Sequence, residues 1–319
     1  MAGSSVLVTG GAGYIGGKVV AALADEPSEW ERIVATDVRA PRAEQRHDRV
    51  IWETVDIRSA EIAALFEEHK VNTVVHLASI VTPPPGFTRE DQYSVDVDGT
   101  RNVLEACVAA GVGKIIVTSS GAAYGYHADN DEWLDERDSP LRGNESFAYA
   151  HHKRLVEEML ARYREDHAEL AQLVFRPGTV LGAGVSNQIT ALFERAFVLG
   201  LSRVATPFVF IWDEDVAACI LKGIRTDRTG IYNLAGDGVM PLAEIARRLG
   251  KPLVSLPATL VDGALVVLCR LGLTQYGPEQ TLFLKHRPVL SNRRLKEEFG
   301  YMPRMSSREV FETWCEGRA

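Results

Sequence analysis

Short runs of aliphatic and β-branched residues alternate with longer amphipathic stretches through the first half of the chain. The runs predict strands near 5–9, 32–37, 50–54, 73–77, 114–118 and 171–176. The amphipathic stretches predict helices near 14–25, 59–69, 92–110 and 149–166. Such alternation is typical of parallel strands joined by helices that cover both faces of one sheet.

The second half has shorter apolar runs between turns rich in proline and glycine. Strands are expected near 207–211, which leads into a helix from Asp213, and near 230–234; helices are expected near 187–199, 241–249, 258–271 and 306–316. We therefore predict an α/β fold: a Rossmann-type doubly wound parallel sheet with a smaller, mostly helical C-terminal substrate lobe. The predicted sheet domain takes residues 1–177, with 205–236 returning to it, and the lobe takes 178–204 and 237–319.

The first strand ends in a glycine-rich turn, VLVTGGAGYIG, that leads into a helix. Gly10 can adopt the backbone angles of a sharp turn. Gly13 has no side chain to block a pyrophosphate, and Gly16 lets the helix lie close to the strand. The helix N-terminus offers free N–H groups and a positive dipole end to phosphates. This arrangement predicts dinucleotide binding.

An acidic residue, Asp37, ends the second predicted strand about 20 residues beyond the glycine turn. A carboxylate there can accept hydrogen bonds from the adenosine ribose hydroxyls and would repel the 2′-phosphate of NADP. Asp37 therefore favours NAD, although Arg39 and Arg42 follow closely and could weaken that preference.

The composition is that of an ordinary globular protein, with 46% hydrophobic and 24% charged residues. A net charge of −8 gives no basic field for nucleic acid or an anionic membrane. The four cysteines are far apart, which argues against structural zinc and suits a reducing compartment. Because the first predicted strand begins at residue 5, no room is left for a signal peptide, and we expect a cytoplasmic protein.

The longest apolar stretch, residues 253–273, is interrupted by Asp262 and Arg270. A membrane-spanning helix needs about 20 nearly uncharged residues. This stretch therefore predicts a buried or surface-apposed helix and no integral membrane segment, with peripheral membrane contact left open.

Tyr149 and Lys153 are four residues apart at the start of a predicted helix, so both project from one face. A nearby ammonium lowers the pKa of a phenol, which could then take a proton from a substrate alcohol. Ser120 follows a predicted strand and could contact the same substrate oxygen. Asn102 could support Lys153 through a backbone or water link.

For the other polar residues considered, we expect no catalytic or metal-binding role. His151 and His152 are expected at the surface, and His76 is expected to be a core histidine. No trio of residues suggests a metal site, and Ser-His-Asp hydrolysis lacks the GxSxG turn.

Several segments together resemble the extended short-chain dehydrogenase/reductases, also called the NAD-dependent epimerase/dehydratase family. They are TGGAGYIG (9–16), Asp37, Asp56-Ile57-Arg58, HLAS (76–79), GTRNVLEAC (99–107), TSSGAAYG (118–125), Tyr149–Lys153, RPGTVLG (176–182), YNLAG (232–236) and residues 295–303. The resemblance implies bound NAD, with Asp56 and Ile57 near the adenine and Ala78 near the middle of the cofactor. It implies catalysis by Ser120, Tyr149 and Lys153, with Asn102 in support.

The complete set of expected site residues follows from the motifs and this resemblance. The expected cofactor-binding residues are Gly10, Gly13, Tyr14, Ile15, Gly16, Asp37, Asp56, Ile57, Leu77, Ala78, Ser79, Thr118, Tyr149, Lys153 and Pro177.

The chain also departs from the family in ways that bear on the substrate. Ser120-Gly121-Ala122 replaces the Thr-Asp-Glu run of the 4,6-dehydratases, which disfavours dehydration. Thr179 and Trp212 stand where many relatives have asparagine and histidine. Lys285-His286-Arg287-Pro288 only partly matches the basic motif that grips a diphosphate, so a UDP-sugar substrate is not secured.

The function expected is hydride transfer between NAD and a secondary alcohol of a small molecule, a sugar or nucleotide sugar, with Tyr149 as acid and base. The alternatives are a UDP-sugar 4-epimerase with tightly held NAD, an alcohol dehydrogenase like the 3β-hydroxysteroid dehydrogenases, and a non-catalytic dinucleotide-sensing regulator. Apolar residues on several faces of helices 92–110 and 149–166 resemble the interface of relatives and predict a homodimer.

Overall fold

The computed structural model describes residues 4–26, 30–84, 86–185, 187–273, 277 and 280–318. Its strands are β1 Ser5–Thr9, β2 Arg32–Asp37, β3 Val50–Thr54, β4 Thr73–His76, β5 Lys114–Thr118, β6 Ala171–Pro177, β7 Thr179–Leu181, β8 Val198–Leu201, β9 Pro207–Phe208, β10 Phe210–Trp212, β11 Gly230–Leu234, β12 Met240–Pro241 and β13 Leu253–Leu256. Its helices are α1 Tyr14–Ala24, α2 Glu61–Glu68, α3 Arg89–Tyr93, α4 Gly99–Ala109, α5 Ala148–Asp166, α6 Gln188–Glu194, α7 Asp213–Arg225, α8 Leu242–Arg248, α9 Ala258–Arg270, α10 Gln280–Lys285 and α11 Ser307–Glu316.

A seven-stranded sheet has the order β11-β6-β5-β4-β1-β2-β3. The pairs from β3 to β6 are all parallel. The order reverses beside β1, as in a doubly wound Rossmann fold. The predicted fold class is therefore confirmed, and the first-half strands lie within a residue of their predicted ends.

The chain forms two compact units. The first contains residues 1–120, 152–176 and 213–232, and the second contains 121–151, 177–212 and 233–319. The sequence analysis placed 121–151 with the first domain instead. Segment 121–151 lies in the second unit because its buried side chains Tyr124 and Leu134 pack against Val209 and Leu290.

Asn233 is the polar contact that holds segment 121–151 within the second unit. Its side chain is fully buried and accepts a hydrogen bond from the Tyr124 hydroxyl at 3.0 Å. Its amide nitrogen donates to the carbonyl oxygens of Leu134 at 3.0 Å and Ser291 at 3.2 Å. A buried amide with all these partners fixes three chain segments at once, because any displacement would leave a polar group unpaired.

The second unit contains more strand than predicted. Besides β9 with β12, β7 pairs with β10 and β8 pairs with β13, both in parallel. The expected helix near 187–199 ends at Glu194, and Val198–Leu201 is a strand. A short apolar run has no periodicity that separates a strand from a helix, which is why the prediction failed here. The core of this unit is an aromatic cluster of Phe193, Phe208, Phe210, Phe311 and Trp314.

The apolar stretch 253–273 forms β13 and α9, and much of it is exposed. Val261 is buried, whereas Leu260 and Val267 are 57% and 56% exposed. Among the described residues, no helix has both the length and the apolar content needed to cross a bilayer.

The turn from β1 into α1 brings two main-chain segments into direct contact. A Cβ atom added to Gly16 would lie 2.1 Å from the carbonyl oxygen of Gly10. No side-chain rearrangement can relieve that clash, because both partners are backbone atoms. Glycine at position 16 therefore sets how closely α1 approaches the turn.

We predict that Gly16→Ala lowers the free energy of unfolding by about 1–3 kcal/mol, since the helix must shift to accept the methyl group. Gly113→Ala is the matched control, because a Cβ there would meet only the Asn72 carbonyl oxygen at 3.7 Å. Urea denaturation of both variants measures the difference. Equal midpoints for Gly16→Ala and the unmodified protein would refute the close-approach argument.

Candidate functional site

The glycine turn leaves the N-terminus of α1 open. Gly10 adopts a φ of +69°, and a Cβ at this position would lie 2.8 Å from the amide nitrogen of Ala78. Gly13 is the N-cap residue of α1 and provides no side-chain cap. No side chain of the N-cap residue covers the first turn of the helix, and the helix dipole favours an anion there.

Asp37 ends β2 beside this turn, as predicted, and is only 8% exposed. Its Oδ1 accepts hydrogen bonds from the Arg39 amide at 3.0 Å and the Arg39 Nε at 3.2 Å. Both bonds use one oxygen of the carboxylate. The second oxygen is a suitable acceptor for ribose hydroxyl groups.

Two acidic residues of α7 contact α1, and the sequence analysis did not anticipate them. The Tyr14 hydroxyl donates a hydrogen bond to Asp213. Burial and this hydrogen bond both raise the pKa of Tyr14. Lys18 forms ion pairs with Asp213 at 3.2 Å and with Glu214. Burial of Asp213 is the feature that sequence could not show, because an acidic first turn is ordinary at a helix surface.

Lys153 lies at the carboxyl end of β5, where its Nζ donates to the Thr118 carbonyl oxygen at 3.1 Å. Burial lowers the pKa of Lys153, and the carboxylates of Asp96 and Glu157 oppose that effect. The Thr118 hydroxyl oxygen is buried and has no hydrogen-bond partner among the described residues. Thr118 therefore offers an unused donor and acceptor next to Lys153.

Ser119 and Ser120 follow β5 and have different environments. The Ser119 hydroxyl donates to Glu157 Oε1 at 2.6 Å and is buried. Ser120 is half-buried. The contact of Ser120 with the substrate stays a prediction.

The Asn102 side chain bonds a neighbouring loop. Its amide nitrogen donates to the carbonyl oxygens of Ile57 at 2.6 Å and Ser59 at 2.8 Å. These bonds fix the loop before α2 and use both amide hydrogens. Support of Lys153 by Asn102 through a backbone or water link stays a prediction.

The remaining expected cofactor residues lie in the first turn of α1, at the end of β6 and in loops that follow the strands. Asp56 is paired with Arg58 at 2.5 Å, which holds the pKa of Asp56 below its usual value. Ile57 is buried in the core, and Ser79 donates to Asp96 at 2.9 Å. Ile15 lies in the first turn of α1, Leu77 and Ala78 follow β4, and Pro177 ends β6.

Two buried histidines of the first unit, His76 and His152, lie near Lys153 or Asp96. His76 bonds the hydroxyls of Thr9 at 2.8 Å and Thr100 at 3.0 Å. Burial and the Lys153 charge lower the pKa of His76 to about 3, so it is a neutral core histidine. The expectation of a surface position for His152 is wrong, since its side chain is fully buried against Asp96 and Tyr93.

In the second unit, Tyr149 lies in the first turn of α5 and is half-buried. It packs against a cluster formed by Ala122, Tyr126 and Ala150. Phe283 packs against the same cluster, with its ring centre 5.5 Å from that of Tyr126 in an edge-on arrangement. Tyr149 therefore adjoins an aromatic cluster.

Arg287 belongs to the same part of the second unit. Its guanidinium carbon lies 4.0 Å from the ring centre of Phe208 and 4.3 Å from that of Phe283. Nη2 donates to the Thr179 hydroxyl, whereas Nε and Nη1 are buried without a hydrogen-bond partner among the described residues. Burial lowers the pKa of Arg287 to about 10, so the side chain is still charged at neutral pH.

Unpaired N–H groups on a buried cation are costly, and an anion that accepts both hydrogens removes that cost. The sequence motif around Arg287 suggested diphosphate recognition, but it matched only in part. The aromatic packing and the two unpaired nitrogens are features that sequence alone could not provide.

Comparison with known proteins identifies the family. The profile of the NAD dependent epimerase/dehydratase family matches residues 6–235, so the chain belongs to this family. A UDP-glucose 4-epimerase of Azospirillum brasilense is 29% identical over 94% of this chain and 87% of its own length. A solved UDP-glucose 4-epimerase of Thermotoga maritima has a TM-score of 0.76 at 18% identity and covers 98% of both chains.

The fold is shared beyond the epimerases. A dTDP-glucose 4,6-dehydratase of Bacillus anthracis, solved with NAD, has a TM-score of 0.75 at 17% identity over 99% of this chain and 96% of its own. The fold therefore does not separate epimerisation from dehydration.

NAD is the cofactor of this family, and the residues of the first unit fit it. The open N-terminus of α1 suits a pyrophosphate, and the carboxylate of Asp37 suits a ribose. The unpaired hydroxyl of Thr118 lies beside Lys153, where a further polar group of the cofactor could bond. Among the described residues, no group of His, Cys, Asp or Glu could hold a metal ion.

We predict that Asp37→Ala weakens NAD binding by about 10–100-fold, because hydrogen bonds to a charged group contribute about 1.5–3 kcal/mol. NADP affinity should fall less or rise, since the repulsion of its 2′-phosphate is removed. Glu44→Ala is the control, because Glu44 is an exposed carboxylate near the same site. Calorimetric titration with both cofactors measures the ratio, and an unchanged ratio in Asp37→Ala would contradict the assignment.

Proposed function

We propose that the protein is an NAD-dependent enzyme that oxidises a secondary alcohol on a sugar bearing a phosphate or diphosphate, a nucleotide sugar above all. Tyr149 is the acid and base, Lys153 supports it, and Ser120 contacts the reacting oxygen. The full-length similarity to a UDP-glucose 4-epimerase favours epimerisation as the outcome.

The observation that supports this proposal is the shared surroundings of Tyr149 and Arg287 within one compact unit. Tyr149 and Phe283 both pack against the cluster that contains Tyr126, and the Arg287 guanidinium lies over the Phe283 ring. This arrangement supports a substrate whose anionic group binds Arg287 while its alcohol is turned towards Tyr149. A steroid has no anion for Arg287, so the dehydrogenase alternative leaves its buried nitrogens unpaired.

The chemistry assigned to the chain is a proton transfer with defined atoms. The Tyr149 hydroxyl oxygen takes the proton of the substrate alcohol and later returns it. The Lys153 ammonium, one helical turn along α5, favours the ionised phenol. The Ser120 hydroxyl donates to the substrate oxygen as it becomes a carbonyl. When bound, NAD supplies the hydride acceptor.

The test is incubation of the purified protein with nucleotide sugars, followed by NMR of the products and absorbance at 340 nm. Formation of an isomer without free NADH supports an epimerase. Stoichiometric NADH release indicates a dehydrogenase acting on the same substrate class. Oxidation of a 3β-hydroxysteroid with no change in any nucleotide sugar would refute the proposal, and inertness towards all of them would favour the sensing role.

We predict that Tyr149→Phe lowers turnover by about 10²–10⁴-fold and leaves NAD affinity nearly intact, because only the proton-transferring hydroxyl is removed. Lys153→Met should impair both turnover and NAD binding, and Ser120→Ala should have a smaller effect on turnover. Tyr163→Phe, further along α5, is the control and should behave as the unmodified protein. Near-normal turnover in Tyr149→Phe would show that the acid and base lies elsewhere.

We predict that Arg287→Met weakens UDP and UDP-sugar binding by about 10–100-fold, the loss expected for charge-assisted hydrogen bonds. Without ligand, the variant should melt at the same temperature or higher, since a buried, incompletely paired charge is replaced by an apolar side chain. Arg293→Met serves as control, because the Arg293 side chain is 63% exposed. Thermal shift with and without UDP measures both effects, and an undiminished shift in Arg287→Met would contradict the assignment.

A further inference from the structure

Asp96 is a buried carboxylate at the centre of the first unit, in the π-helical turn Ser94–Asp98 that joins α3 to α4. Its Oδ1 accepts hydrogen bonds from the Ser79 hydroxyl and the Ile80 amide, both at 2.9 Å. Its Oδ2 lies 3.3 Å from Nδ1 of His152. One carboxylate thus joins the segment after β4 to the start of α5.

The Asp96 carboxylate contacts the residue of α5 that precedes Lys153. The His152 ring packs edge-on against Tyr93, with ring centres 5.6 Å apart, and this contact fixes its orientation. The following residue is Lys153, which contacts the end of β5 through the Thr118 carbonyl oxygen. The segment after β4 and Lys153 are both expected to bind the cofactor, and Asp96 bonds that segment to the helical residue before Lys153.

The charges around Lys153 show why Asp96 matters. Glu157, on the same helix, is already paired with Arg176 at 2.6 Å, and His76 on β4 is neutral. Burial lowers the pKa of Lys153, and two carboxylates raise it. The effect of Asp96 is larger than that of Glu157. Tyr149 precedes Lys153 by one helical turn.

We propose that Asp96 is a positioning residue of the cofactor site: its carboxylate ties the segment after β4 to His152 and so fixes the part of α5 that carries Lys153. The inference rests on the role proposed above for Lys153. Asp96 itself contacts neither cofactor nor substrate in this account, and acts through Ser79, Ile80, His152 and the charge of Lys153.

The decisive variant is Asp96→Asn. Asparagine keeps an acceptor oxygen for Ser79 and Ile80 and removes the negative charge. Lysine labelled with ¹³C at Cε reports ionisation by NMR, with the Lys153 resonance assigned from Lys153→Met. The titration midpoint of Lys153 should fall by about one pH unit, since an opposite charge nearby favours the charged form.

Asp98→Asn is the matched control, because Asp98 lies two residues further along and its half-exposed side chain pairs with Arg101. This variant loses the same charge and should leave the Lys153 midpoint unchanged. If Asp96→Asn impairs folding, Asp96→Ser is the second variant. It also removes the charge, and its smaller side chain supplies a hydroxyl and leaves space for a bridging water. A Lys153 midpoint that does not move in a folded Asp96 variant overturns the inference.

NAD affinity as a function of pH tests the consequence for the cofactor. Binding should weaken as Lys153 loses its proton, and in Asp96→Asn this loss should begin about one pH unit lower. A shifted midpoint with NAD affinity unchanged at every pH would overturn the role proposed for Lys153, and the cofactor part of this inference with it. The two measurements therefore fail separately.

Discussion

The buried ion pair between Glu157 and Arg176 is the interaction on which the arrangement of the first unit depends. Arg176 Nε and Nη2 bond the two carboxylate oxygens at 2.8 Å and 2.6 Å, and both side chains are 3% exposed. Breaking such a pair costs about 3–5 kcal/mol, because one charge is left buried alone. Since Ser119 shares Glu157, α5 is fixed against the ends of β5 and β6 together. That placement brings Lys153 to the Thr118 carbonyl, so the geometry of the cofactor site follows from a pair outside it.

The sheet was predictable from sequence because parallel strands buried on both faces are continuous apolar runs bounded by turns. The strand from Lys114 to Thr118 and its neighbours therefore had clear ends. The second unit was less predictable. Its strands Val198–Leu201 and Leu253–Leu256 pair with each other, although they are far apart in sequence. Their pairing is a long-range contact that no local pattern encodes. The division at residue 121 has the same origin, since it depends on contacts of segment 121–151 with residues far along the chain.

The candidate site was predicted where chemistry depends on residue type and spacing, as for the glycine turn and Asp37. It was missed where chemistry depends on burial. His152 looks like a surface residue in sequence, and only its packing on Asp96 and Tyr93 shows otherwise. Asn102 is a second case: only the structure shows that its amide hydrogens bond the loop before α2. Distances between side chains on different elements decide both cases, and a single sequence contains no such distances.

The net charge explains why this protein would recognise anions by local contacts rather than by a field. At −8, the chain as a whole repels a dinucleotide or a sugar diphosphate over long distances. Screening limits that repulsion to roughly 8 Å at physiological ionic strength. Within that distance, local donors dominate, such as Nε and Nη1 of Arg287, which have no hydrogen-bond partner among the described residues. These donors are buried, so a hydrogen bond from them to an anion would be stronger than a contact with an exposed lysine. The phosphorylated ligand proposed for this site would therefore be recognised by short-range contacts and not by the charge of the whole chain.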